Sequence, residues 1–300
     1  MNSTCPAGAE PDYCNFVLAN PDISGIGVRI AVYVQVGLNV LASTLLQSNL
    51  QLTRDAARTS YVLSLSLVLA SIVQWKLGGM GLFDALVGTQ LATLMTVFML
   101  FNLRYISSLG LSINISSTLF LILYTYWGIQ TWTFPPCPSN GLTQYVLFGK
   151  SIPATNPGLR IFALVVFGCV GVVTLSAVLL LVRWGGKVWV HGGEVKARNV
   201  EVWMNYKRER YGIGARAGKS RLTSLLPLPI LIYLVISTEQ LVARNNLPDL
   251  AEWSFGQTLA VVMLLAQFVE IGLWVWREKK RRREVEWRGK SARLPVVAVH

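Results

Sequence analysis

Chemistry in this chain is to be sought among ionisable side chains set in apolar sequence: Asp22, Arg29, Asp84, Glu239 and Glu270 all stand in or beside aliphatic and aromatic runs. A carboxylic acid withdrawn from water resists ionisation. It can keep its proton near neutrality and deliver it to an olefin or an epoxide. Glu239, Asp22 and Asp84 are therefore candidate general acids, and Arg29 is the group that would orient or tune the acid. Tyr33, Gln35, Trp127 and Gln240 are candidate substrate contacts. The faces of Tyr33, Tyr124, Tyr126, Trp127 and Tyr233 could attend a developing carbocation.

Each of these residues also has a structural reading. Asp22 and Asp84 stand near expected helix starts, where a carboxylate meets unsatisfied N–H groups and the helix dipole; Asp22 or Ser24 can cap the first span. Glu239 lies about four turns into its segment, too deep for a cap, and its structural alternative is an ion pair with Arg29 or Arg160. Arg29 can instead pair with Asp22. Glu270 adjoins the basic tail and can snorkel toward it. No metal-ligand spacing, nucleophile elbow, phosphate loop or Cys/His cluster occurs, and the only histidines are His191 and His300. Hydrolase, kinase and metalloenzyme chemistries are disfavoured, and no cofactor is expected.

The elements that must position these groups follow from composition. Of 300 residues, 53% are apolar and 14% charged, and the apolar ones fall in long blocks, as in a polytopic membrane protein. Seven blocks reach the ~20 residues needed to cross a hydrocarbon core, and each must be helical because lipid satisfies no backbone polar group. They run Gly25 to Gln47, Ala57 to Trp75, Phe83 to Leu103, Leu111 to Thr131, Leu159 to Val182, Leu225 to Ala243 and Phe255 to Trp276. The fold class is all-α: a lumenal segment over 1–24, a seven-helix domain over 25–276 with a basic loop over 184–222, and a basic tail over 277–300.

Placing the N-terminus in the lumen and the C-terminus in the cytosol leaves only Arg29, Lys76, Lys150, Arg160 and Arg244 at or near the lumenal face. The net charge of +12 is then explained by cytosolic loops meeting anionic lipid headgroups, with no call for nucleic acid. The first 20 residues hold no signal-peptide pattern, so the first span serves as its own insertion signal. The compartment expected is the endoplasmic reticulum or another endomembrane.

In the first span, at about 100° per residue, Arg29, Tyr33, Gln35 and Asn39 share an arc of about 160°, which should turn inward. The second span, with Ser60, Ser64, Ser66, Ser71 and Gln74, reads as a packing helix. Pro227 and Pro229 should kink or delay the start of the sixth. The loop from Trp132 to Gly158 is the longest lumenal one, either a lid or site component or a connector pinned by Cys137 to Cys5 or Cys14. Cys169 reads as packing. Asn2-Ser3-Thr4 is a glycosylation sequon on the lumenal side, whereas Asn114 lies too close to the membrane to serve. The run Val202 to Tyr211 could form a helix on the membrane surface.

The segment Asn20-Pro21-Asp22-Ile23-Ser24-Gly25-Ile26-Gly27-Val28-Arg29-Ile30-Ala31, followed by Tyr33 and Gln35, resembles the N-terminal segment of a group of fungal polytopic membrane proteins. Within that group it looks most like the integral membrane terpene cyclases of meroterpenoid biosynthesis, of the ascochlorin, ascofuranone and macrophorin type. The resemblance implies a substrate drawn from the bilayer, a farnesyl chain on an aromatic or quinone head. Rings would be closed after protonation of its terminal olefin or epoxide, in isomerase- or lyase-type chemistry without a metal. Two other classes share the outline. A seven-helix receptor would carry an acidic-Arg-aromatic triplet where this chain has Asn102-Leu103-Arg104-Tyr105, and a proton- or ion-coupled transporter or channel would show related helix repeats.

Overall fold

The computed structural model describes residues 19–45, 50–77, 80–101, 111–133, 141–191, 227–247 and 252–291, with 17 and 250. Asn2, Cys5, Cys14, Cys137 and the run Val202 to Tyr211 lie outside them, as does the Glu270 side chain.

A single turn, α1 (Pro21–Ser24), opens the fold. Asn20 is its N-cap, accepting from the Asp22 N–H, and Pro21 occupies the first position, where a missing N–H costs nothing. The cap is thus Asn20 and neither Asp22 nor Ser24. Gly25 ends the turn in extended conformation, and α2 (Ile26–Leu45) starts at once. Its buried positions Val28, Ala31, Val32, Gln35, Val36, Asn39 and Val40 recur every three or four residues, leaving Ile26, Ile30 and Leu41 on the outer face. The long helices continue with α3 (Leu50–Lys76), α4 (Leu82–Phe101), α5 (Leu111–Thr133), α6 (Pro157–His191), α7 (Pro227–Asn245) and α8 (Phe255–Ser291). All seven apolar blocks are therefore long helices; α6 and α8 run on well past the blocks into basic sequence. Pro227 is the first described residue of α7, and Pro229 lies two residues on within the helix.

The packing places α4 at the centre, with nearly every residue from Leu82 to Met99 buried and α2, α3, α5 and α7 around it. Buried Ser60, Ser64 and Ser71 let α3 come close to its neighbours. At the periphery α6 packs on α5, and α8 on α2 and α3. Their outer faces are aliphatic, with Phe162, Val165, Val172, Leu179, Leu259, Val262 and Leu265 exposed, so the bundle presents hydrocarbon rather than charge to its surroundings. Cys169 lies exposed on α6 and is not a packing residue. Among the described residues, four stretches of helix are long and apolar enough to cross a membrane: Pro21–Leu41, Leu82–Phe101, Pro157–Arg183 and Phe255–Arg277.

The structure departs from all-α in the longest connection. Between α5 and α6 stands an antiparallel hairpin, β1 (Gln144–Leu147) and β2 (Lys150–Pro153), in which Leu147 faces Lys150 and Gln144 faces Pro153. Its two-residue turn puts Phe148 and Gly149 at φ 49° and 78°, the positive values that suit a tight hairpin and that glycine adopts freely. Four-residue strands give too weak a period for the sequence to announce them.

Two glycines are required by close approach. A Cβ on Gly25 would stand 2.2 Å from the Pro21 carbonyl oxygen, and one on Gly128 would stand 2.0 Å from the Phe167 ring where α6 lies on α5. Gly25→Ala should cost about 1–3 kcal/mol, the usual penalty of overpacking a filled site. Gly37→Ala, which meets nothing within 4 Å, should cost nothing comparable. Thermal unfolding of the two variants in detergent would show it, and equal melting temperatures would contradict the account.

Candidate functional site

The polar residues gather at one end of the bundle, where α2 begins and α7 ends; it is called the upper end below. Two constellations form there, one closed and one open.

The closed one fastens the N-terminal turn. Asp84, in the first turn of α4 and 1% exposed, accepts the Asn20 N–H on both carboxylate oxygens, at 3.0 Å each, and the Ser24 hydroxyl at 2.6 Å. Asn20 Nδ2 donates to Gln74 Oε1 on α3 at 2.6 Å. On the other side, exposed Asp22 accepts the Gly256 N–H at 2.9 Å, capping α8 rather than its own helix. The Gln257 side chain accepts the Gly27 N–H at 2.9 Å, one of the orphan donors at the start of α2, and donates to the Glu252 carbonyl at 2.8 Å. Gly25 and Gly27 leave the space in which Gln257 lies. These acids are thus occupied with holding four helices in register.

The open constellation joins α2 to α7. Arg29, 5% exposed, donates through Nη1 to Glu239 Oε2 and through Nε to the Ser24 carbonyl at 3.0 Å. Tyr33, one turn further along α2, donates its hydroxyl proton to the other Glu239 oxygen at 2.8 Å. Arg29 therefore pairs with Glu239 and not with Asp22. The Glu239 side chain is 48% exposed against 6% for Arg29, so the carboxylate faces outward over a buried cation. Helical spacing places exposed Ile26 and Ile30 within about 100° of Arg29, and exposed Ile232 and Ile236 within about 60° of Glu239, so an aliphatic strip leads along both helices to the cluster.

The remaining sequence candidates lie elsewhere. Gln35 donates to Ser60 on α3 at 2.5 Å, as Asn39 does at 2.6 Å, so the polar arc of α2 is inward as expected but divides, half toward α7 and half toward α3. Trp127 is fully buried in the core, edge-on to Trp75, with its Nε1 unpaired among the described residues. Gln240 is half-buried on α7, about 100° around the helix from Glu239. Sequence reasoning missed Gln257 and Asn245, the residues that fasten α8 and the hairpin. Glutamine three positions into an apolar helix was the available signal for the first.

No protein-family model matches this chain, and neither the curated proteins nor the solved structures compared with it include a match.

The asymmetric burial of the pair makes its two halves unequal. Glu239→Leu strands a buried guanidinium and should destabilise by about 3 kcal/mol, whereas the double variant Arg29→Met/Glu239→Leu should recover at least half of that. Denaturant titration of the two in detergent measures it, and a double variant less stable than the single would contradict the pairing. Asp84→Asn exchanges one carboxylate oxygen for a donor aimed at the Asn20 N–H, and should cost about 1–3 kcal/mol in the same measurement.

Proposed function

We propose that this chain crosses an endomembrane seven times, N-terminus lumenal and C-terminus cytosolic, and is a terpene cyclase. Its substrate class would be a farnesyl chain on an aromatic or quinone head, carrying a terminal epoxide and entering from the bilayer. The observation that carries the reading is the outward-facing Glu239 carboxylate, held by Arg29 and Tyr33 at the end of an aliphatic strip. A prenyl chain lying along Ile26, Ile30, Ile232 and Ile236 would bring its end to these three groups. The resemblance of the Asn20 to Gln35 segment to membrane terpene cyclases supports the same class.

In this reading a proton shared along the Tyr33–Glu239 hydrogen bond passes to the epoxide oxygen as the carbon–oxygen bond breaks and the neighbouring alkene supplies the electrons for the new carbon–carbon bond, while Arg29 orients the Glu239 carboxyl. The cation that remains after ring closure returns a C–H proton to the same pair. Product and substrate are isomers, and the three side chains end as they began. Asp22 and Asp84, engaged in holding helices, take no part.

Microsomes carrying the protein should convert a farnesylated aryl epoxide into a cyclised isomer. Tyr33→Phe and Glu239→Gln should each lower turnover by about 10²–10⁴-fold, the range of general acid and base contributions, while Asp22→Asn leaves it near the starting rate. Unchanged substrate with a folded, membrane-inserted protein overturns the reading.

A further inference from the structure

The hairpin between α5 and α6 has a depth that can be read off its partners. β1 lies along α7 in the opposite direction. At its start, Gln144 donates its N–H to Asn245 Oδ1 at 3.0 Å and accepts from Asn245 Nδ2 at 2.9 Å. Two residues on, the Val146 carbonyl accepts the Ser237 hydroxyl at 2.9 Å. At the turn, the Phe148 N–H donates to the Tyr233 hydroxyl at 3.2 Å and the two rings stack at 5.1 Å. From Gln144 to Phe148 the strand advances about 13 Å at ~3.3 Å per residue. A hydrocarbon core is about 30 Å thick, so with Gln144 at its upper face the turn stands a little short of the middle.

One edge of the hairpin is met by α7, and the other is met by no described residue. In a two-residue hairpin the closing pair, Leu147 with Lys150, exchanges ladder hydrogen bonds, so the backbone groups of the next residue, Ser151, point away from β1. Among the described residues nothing meets them. Pro153, next on that edge, has no N–H to satisfy, and its carbonyl accepts from the Asn156 N–H at 2.9 Å. The side chains of Lys150, Ser151 and Pro153 are exposed. Neither an unpaired strand edge nor a lysine near mid-depth is tolerated against lipid; non-helical backbone at that depth lies buried in protein or lines water.

We infer that β2 lines a water-filled vestibule entering from the upper end of the bundle almost to mid-membrane depth, with the Lys150 ammonium at its floor drawing small anions inward. The vestibule lies across α7 from the Arg29–Glu239 pair, since Tyr233 and Ser237 face away from Glu239 by about 120° and 160°. It is separate from the proposed reaction site. The inference rests on the membrane-spanning part of the proposed function and not on the cyclase chemistry.

The test uses the full chain in proteoliposomes, with membrane-impermeant methanethiosulfonates on both sides and peptide mass spectrometry to resolve each labelled position. Ser151→Cys should be labelled at a rate close to that in detergent, and Val172→Cys, on the outer face of α6, should stay unlabelled until detergent is added. Relative to a free thiol, the anionic reagent should be preferred over the cationic one at position 151, and Lys150→Gln should lower that preference about fivefold, as one charge some 7 Å away in water would. Protection of both thiols overturns the vestibule and leaves the membrane reading standing. Labelling of both overturns the membrane reading itself. Labelling at 151 with no change in charge preference in Lys150→Gln overturns the role given to the lysine.

Discussion

The arrangement of this bundle hangs on one buried carboxylate. Asp84 is almost wholly withdrawn from solvent, yet its two oxygens are filled by the Asn20 N–H and the Ser24 hydroxyl. A carboxylate in that position is tolerable only because those donors replace water. Its demand for them fixes the N-terminal turn against α4 and, through Asn20 and Gln74, against α3. Ser24 then offers its carbonyl to Arg29. The guanidinium that meets Glu239 is thus aimed by a chain of hydrogen bonds beginning at Asp84, which contributes to the candidate site by positioning and not by reaching it.

A second consequence concerns the last helix. Asp22 and Gln257 tie the start of α8 to the start of α2, and two glycines remove the side chains that would stand in the way. The segment from Asn20 to Gly27 is therefore a fastening in which each residue type answers a geometric need: a cap, a proline at the first helical position, two glycines for close approach. Arg29 and Tyr33, further along the same stretch, meet the Glu239 carboxylate instead. The distinction follows from partners, since Asp84 and Asp22 accept backbone N–H groups of neighbouring elements whereas the half-exposed Glu239 carboxylate meets the side chains of Arg29 and Tyr33.

The hairpin answers a different constraint. Between α5 and α7 the bundle is filled by eight strand residues instead of a helix, and α7 itself supplies the polar side chains Asn245, Ser237 and Tyr233 that the strand backbone needs. Polar residues on α7 are shared between two tasks: Glu239 meets Arg29 and Tyr33, and Ser237 meets the hairpin.

The amino-acid sequence by itself determined the long helices, because long uninterrupted apolar runs favour a backbone that satisfies its polar groups within the segment. It also determined that the polar arc of α2 points inward, since helical spacing is a local property. Partners were not legible. Arg29 had Asp22 close in sequence and Glu239 some two hundred residues away, and only the packing of α2 and α7 on the same central helix decided for the distant one. Asp22 and Asp84 read as caps of their own helices, yet each serves a neighbouring element, because a cap from elsewhere in the fold is invisible to local pattern. The strands were equally hidden, being too short to show a period and stable only where α7 meets their edge.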